Sequence, residues 1–168
     1  MAKITTAERV SREASDNFVF QRSLLAYHAA AQRISGDVLE IGTGAGYGIE
    51  VVAPRARSFV TIDKLAPAPE PTQLPNVEFR QATVPPLPFA NDCFDFVISF
   101  QVIEHIKRDL ELVREVKRVL RPGGRLLVLE FSKCQPWFKP IYDFYSFRFM
   151  PWAGGVIAGD RESYRYLA

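Results

Sequence analysis

The apolar positions of this chain fall into short runs set between longer amphipathic stretches. Val38-Leu39-Glu40-Ile41, Phe59-Val60-Thr61-Ile62, Val77-Glu78-Phe79 and Phe94-Asp95-Phe96-Val97-Ile98 are apolar or alternating runs of strand length. A fifth, Arg125-Leu126-Leu127-Val128-Leu129, follows Arg121-Pro122-Gly123-Gly124, a breaker that predicts the strand to start only after it. Between the fourth and fifth runs Leu110, Val113, Val116 and Leu120 recur at helical spacing, with Glu111, Arg114, Glu115 and Arg118 as the polar face. This predicts a crossover helix from Asp109 to Leu120. Ala2 to Ile34 also reads as helical, interrupted near Ser15-Asp16-Asn17, and Phe20, Leu24, Ala31 and Ile34 share one face of its second segment.

Strands alternating with helices predict an α/β fold, a Rossmann-like doubly wound sheet of about five mainly parallel strands with its ligand at their carboxyl ends. The second crossover departs from that scheme: Leu65-Ala66-Pro67-Ala68-Pro69-Glu70-Pro71 favours extended chain, so a loop is expected there. One domain, 1–168, is expected, with an N-terminal helical cap over 1–35, a cofactor-binding core over 36–131 and an aromatic tail over 132–168. That tail carries about half of the chain's aromatic residues.

Composition adds boundaries rather than identity. With 168 residues, 48% hydrophobic and 24% charged, the chain suits a single core, and a formal charge of +2 gives no reason to expect a nucleic-acid partner. Cys93 and Cys134 lie far apart with no metal-ligand spacing, which predicts free thiols, no metal site and a reducing compartment. No run approaches a membrane span and the N-terminus lacks a signal-peptide core, so a cytoplasmic protein is expected.

The densest chemical signal is Glu40-Ile41-Gly42-Thr43-Gly44-Ala45-Gly46-Tyr47-Gly48, answered by Asp63 at the end of the next apolar run. Glycines let a backbone turn tightly against a ligand, and an acidic residue about 20 positions on suits a ribose hydroxyl pair. A dinucleotide fingerprint would need glycine at Tyr47 or Ile49, so a nicotinamide-dependent oxidoreductase is disfavoured. A carboxylate at the end of an apolar strand is costly to desolvate without a partner, and a cofactor would supply one to Glu40 and to Asp63.

An acidic residue, a spacer and alternate glycines resemble the first motif of the class I S-adenosylmethionine-dependent methyltransferases. Gln81-Ala82-Thr83-Val84 with Pro85 to Phe89, and Ser99-Phe100-Gln101-Val102-Ile103-Glu104-His105 after the fourth strand, resemble the later motifs. From Val77 onward, Arg121-Pro122-Gly123-Gly124, Leu127 to Lys133, Tyr142 to Phe147 and Ala158 to Leu167 resemble the ubiquinone/menaquinone biosynthesis C-methyltransferases.

The likeness implies S-adenosylmethionine as cofactor, with contacts at Glu40, Gly42, Thr43, Gly44, Ala45, Gly46, Asp63, Lys64, Ala82, Thr83, Val84, Ser99 and Phe100. It implies methyl transfer to a small aromatic or lipophilic, quinol-like acceptor. Against the family pattern, Ala45 stands for a threonine, Thr83 for an asparagine and Ile103 for an arginine. The family also runs on with a helix and two more strands, so the sheet is expected to lack its usual last two. The fifth strand would then be an open edge, covered by the tail or by a second subunit in a homodimer.

On the acceptor side His105, Asp143 and Tyr145 are the candidate catalytic residues. His105 has the right unperturbed chemistry for a base, though a solvent-facing histidine at a helix start explains it as well. Asp143 and Tyr145 suit an acceptor pocket or an aromatic core equally. The tail around Phe149-Met150-Pro151-Trp152 could touch lipid peripherally or pack as a cover. The reading of a different class is an S-adenosylmethionine-binding module without activity of its own, acting with a partner.

Overall fold

The computed structural model describes residues 17–67, 73–129, 136–149, 152 and 155–156. The chain divides into two compact units, Met1–Glu130 and Phe131–Ala168. In the first, helix α1 (Asn17–Ala31) leads to β1 (Asp37–Ile41), a short α2 (Ile49–Val52) to β2 (Ser58–Asp63), and a loop to β3 (Val77–Gln81). Then follow β4 (Phe94–Phe100), α3 (Asp109–Val119) and β5 (Leu120–Leu129). The five strands are all parallel, in the order β3-β2-β1-β4-β5. The expected doubly wound sheet is present. The first helical segment expected before Ser15 lies outside the described residues.

Alternation along the central strands explains the two layers. Val38, Phe59 and Ile98 face α1 and α2 in one buried cluster, while Leu39, Ile41, Ile62 and Val97 face α3 in the other. The α1 side keeps Phe20 and Ile34 from the face the apolar pattern predicts but not the rest of it. Phe20, Ser23, Tyr27, Ala30 and Ile34 are buried, at alternating steps of three and four, whereas Leu24 is only partly covered. A serine on this stripe hid its true position.

Gly48, on the loop entering α2, is where α1 and the glycine loop meet. A Cβ there would fall 2.2 Å from Tyr27 Cε1. Gly48→Ala should therefore cost about 1–3 kcal/mol of stability by overpacking against a ring that α1 holds in place. Urea unfolding of the variant checks this, and an unchanged midpoint would mean that α1 yields without cost.

Two further expectations are corrected. In α3 the inward residues are Leu112, Val116 and Val119, while Leu110 is 71% and Val113 44% exposed. Both readings have helical period and share Val116; the sheet turns Leu112 and Val119 inward in place of Leu110 and Val113. In β5 the Arg-Pro-Gly-Gly breaker lies inside the strand. Leu120 pairs with Phe94 and Arg125 with Phe96, so residues 121–124 bulge opposite Asp95.

The bulge has a cause. Arg121 forks to Asp95 at 2.8 Å and Asp37 at 2.9 Å, and Gly124, lacking a Cβ, comes close to the Asp95 carbonyl. Asp95 in turn accepts the Asp37 N–H at 2.8 Å. Arg57 with this network holds the Asp37 carboxyl far below the ordinary carboxylate range. The charged clamp joins the starts of β1, β4 and β5, at the opposite end from the glycine loop. Among the described residues β5 is the last strand of the sheet.

The second unit contains α4 (Lys139–Phe144) continued by a π-helical turn, Tyr145–Phe149. Lys139 pairs with Asp143 at 2.6 Å, Tyr145 stacks on Phe149, and Trp137, Phe144, Phe147 and Trp152 are more than half exposed. No described helix is long and apolar enough to cross a membrane. Cys93 is a free thiol, and Cys134 lies outside the described residues.

Candidate cofactor and acceptor site

A cavity of about 350 Å³ opens at the carboxyl ends of β1, β2 and β4, where a doubly wound sheet is expected to bind its ligand. Its first wall is the loop after β1. Gly42 N–H and Thr43 N–H both donate to the Ile62 carbonyl, at 2.8 and 3.2 Å, so the chain leaves β1 by folding onto β2. Gly42 has φ +92, and a Cβ there would meet Val102 Cγ2 at 2.2 Å; Gly44 has φ +55 with nothing within 4 Å of a built Cβ. The loop is therefore a cradle with open space beside Gly44.

Asp63, at the end of β2, holds that cradle. Its Oδ2 accepts the Gly44 N–H at 2.8 Å and its Oδ1 the Leu65 N–H at 2.9 Å. Each oxygen keeps a second lone pair, and the residue lines the cavity. Asp63→Ala should weaken S-adenosylhomocysteine binding by about 1.5–3 kcal/mol, the range for hydrogen bonds to a charged group. Calorimetry measures it, and an affinity equal to wild type would falsify the role.

Glu40 lies behind the cavity wall rather than on it. The side chain is buried, and its Oε2 accepts the Thr61 hydroxyl at 2.6 Å, while Thr61 also meets Thr43 at 2.6 Å. Oε1 has no hydrogen-bond partner, nor has the buried Ser99 Oγ. Burial pushes the Glu40 carboxyl up to about 7, against the pull of Thr61 and Tyr27. An orphaned carboxylate oxygen beside a glycine cradle fits a ligand that brings its own donor, such as an ammonium group.

The third wall is Ala82, Thr83, Val84 and Pro85. Arg108 donates to the Pro85 carbonyl at 2.9 Å, and Arg118 to the carbonyls of Leu87 at 3.0 Å and Phe89 at 2.8 Å. Glu115 accepts the Leu87 N–H and is held down at about 2 by Arg118 and that N–H. This proline-rich loop is thus fastened to α3 by side chains on the helix's polar face.

Of the expected contacts, Gly42, Thr43, Gly44, Ala45, Asp63, Lys64, Ala82, Thr83, Val84, Phe100 and His105 line this one cavity. Glu40, Gly46 and Ser99 do not; Gly46, φ +80, instead closes the turn by donating to the Thr43 carbonyl. Asp143 and Tyr145 belong to the second unit, with Lys139 and Phe149 as their neighbours. Tyr27, Tyr47, Gln101, Lys107 and Arg108 also line the cavity and were not among the candidates. The spacing of Tyr27 from Phe20 and Ala30 was the available signal for the first of these. Among the described residues no group of three or more metal-ligating side chains occurs.

The five-stranded parallel sheet with flanking helices matches the architecture of Rossmann-like methyltransferases. YcgJ from Bacillus subtilis superposes with a TM-score of 0.56 at 28% identity, over 73% of this chain and 56% of that one. The N-methyltransferase NodS from Bradyrhizobium japonicum, solved with S-adenosyl-L-homocysteine, gives 0.59 at 18% identity, over 70% of this chain and 64% of its own. Residues 66–168 match the ubiE/COQ5 methyltransferase family, and the chain belongs to that family.

Among its relatives are the ubiquinone/menaquinone biosynthesis C-methyltransferases UbiE of Hahella chejuensis, 52% identical over 95 residues, and Ectopseudomonas mendocina, 49% identical over 94. Each alignment covers 55% of this chain but only 38% and 37% of the relative.

Proposed function

We propose that this chain transfers a methyl group from S-adenosylmethionine to a ring carbon of a small, lipophilic, quinol-like acceptor. The observation that carries it is the single cavity in which the glycine cradle, Asp63 and the end of β4 meet. The membership in a methyltransferase family supports the reaction class, and the UbiE relatives support a quinol-like ring. A binding module without turnover draws no support from either.

Glu40 would hold the donor's ammonium, the loop Gly42–Ala45 its amino-acid part, Asp63 its ribose hydroxyls, and Ala82–Val84 its adenine. The donor supplies an activated methyl, so the protein's task is alignment and exclusion of water. Val84, Pro85, Val102 and Ile106 offer the apolar side of the cavity for a ring. His105, in the turn after β4 and 3.5 Å from Glu104 through its Nε2, lines the same cavity and would take a phenolic proton.

The test is incubation with S-adenosylmethionine and a short-chain prenylated benzoquinol. Mass spectrometry should show S-adenosylhomocysteine and one methyl on a ring carbon. Donor binding with no product from any quinol or phenol would overturn the proposal.

A further inference from the structure

Beyond β4 the chain runs along one wall of the cavity as His105-Ile106-Lys107-Arg108. Two of its polar heads are already engaged. Arg108 is held by Glu111 at 3.1 Å and by the Pro85 carbonyl, and His105 lies against Glu104. Lys107 is exposed and makes no ion pair among the described residues. The one acidic residue in the lining, Asp63, accepts the Gly44 and Leu65 amides and makes no ion pair with Lys107 among the described residues.

An ammonium without an ion-pair partner, in the same cavity lining as Val102, Ile106 and Pro85, complements a flat apolar ring that carries an anionic oxygen. A neutral ring would gain only burial there, whereas an oxyanion also gains a charge interaction with the ammonium.

We infer that Lys107 forms an oxyanion subsite and that the acceptor, its phenolic proton lost to His105, is held as a phenolate with its ionised oxygen on the Lys107 ammonium. The inference rests on the methyl-transfer reading above and names the ionisation state it selects. Charge on the oxygen raises electron density at the adjacent ring carbon. That carbon's electron pair forms the new bond to the methyl group as the methyl–sulfur bond breaks with its pair left on sulfur. The ring proton then leaves to a base or to water, restoring aromaticity.

The test titrates 4-nitrophenolate and 4-nitroanisole, rings of similar size with and without the ionised oxygen, into protein saturated with S-adenosylhomocysteine at low salt. The wild type should bind the phenolate about tenfold more tightly than the anisole. Lys107→Met should bring the two to parity without moving the thermal midpoint or the S-adenosylhomocysteine affinity, and Lys107→Arg should retain the preference. Parity in the wild type, no binding of either ring, or a preference that survives in Lys107→Met overturns the subsite. Failure of S-adenosylhomocysteine itself to bind is a separate result, which removes the donor-site reading along with it.

Discussion

Gly42→Ala should cost both stability and donor affinity, more than any other single-methyl change in the site. Its backbone sits at φ +92, where an L side chain is strained by about 1–2 kcal/mol. The added Cβ also falls 2.2 Å from Val102 Cγ2, an overlap that costs a further 1–3 kcal/mol, roughly. The two together, about 2–5 kcal/mol, are a large share of the 5–15 kcal/mol typical of a domain. Relief by moving Val102 would push a side chain into the cavity, so S-adenosylhomocysteine affinity should fall at least about tenfold. Gly44→Ala is the control: its φ is +55 but nothing lies within 4 Å, so it should show the backbone strain without the clash. Denaturant midpoints and calorimetry on both variants separate the terms, and equal effects would refute the part assigned to Val102.

The second large effect is a pH dependence from Glu40. Burial raises its carboxyl from 4.5 to about 7 in the folded protein. Between those values the folded state holds a proton that the unfolded state has released. Stability should therefore fall as pH rises from about 4.5 to about 7, by up to about 3 kcal/mol, and this contribution levels off above. Glu40→Gln, which cannot ionise, should remove that slope; denaturation curves from about pH 5 to about pH 8 measure it. Identical slopes in variant and wild type would show that Glu40 is not the titrating group. A cationic ligand group at Oε1 favours the carboxylate, so donor binding should release protons below about pH 7, and binding should tighten as pH rises through that range.

Much of the donor side was legible because it is written in local chemistry. Glycine at 42, 44 and 46 marks the positive-φ turn directly, and an acidic residue at a strand end demands a partner wherever the strand goes. Asp63 nevertheless turns both oxygens to backbone amides, a role that no spacing announces. The acceptor wall was far less legible. Lys107 and Arg108 look like ordinary helix-start charges, and only the docking of the Pro85 loop against α3 shows that they border the cavity.

Period and composition were enough for the alternation of strands and helices, the order of the motifs and the place of the glycine cradle. Each depends on neighbours in sequence. Which stripe of α3 turns inward, why Arg121-Pro122-Gly123-Gly124 bulges within β5, and how Tyr27 and Glu40 come together all needed the assembled sheet. Those features rest on contacts between segments distant in the chain. Two overlapping helical stripes have the same period, and an Arg-Pro-Gly-Gly run reads as a breaker until Asp37 and Asp95 stand beside it to bind the arginine.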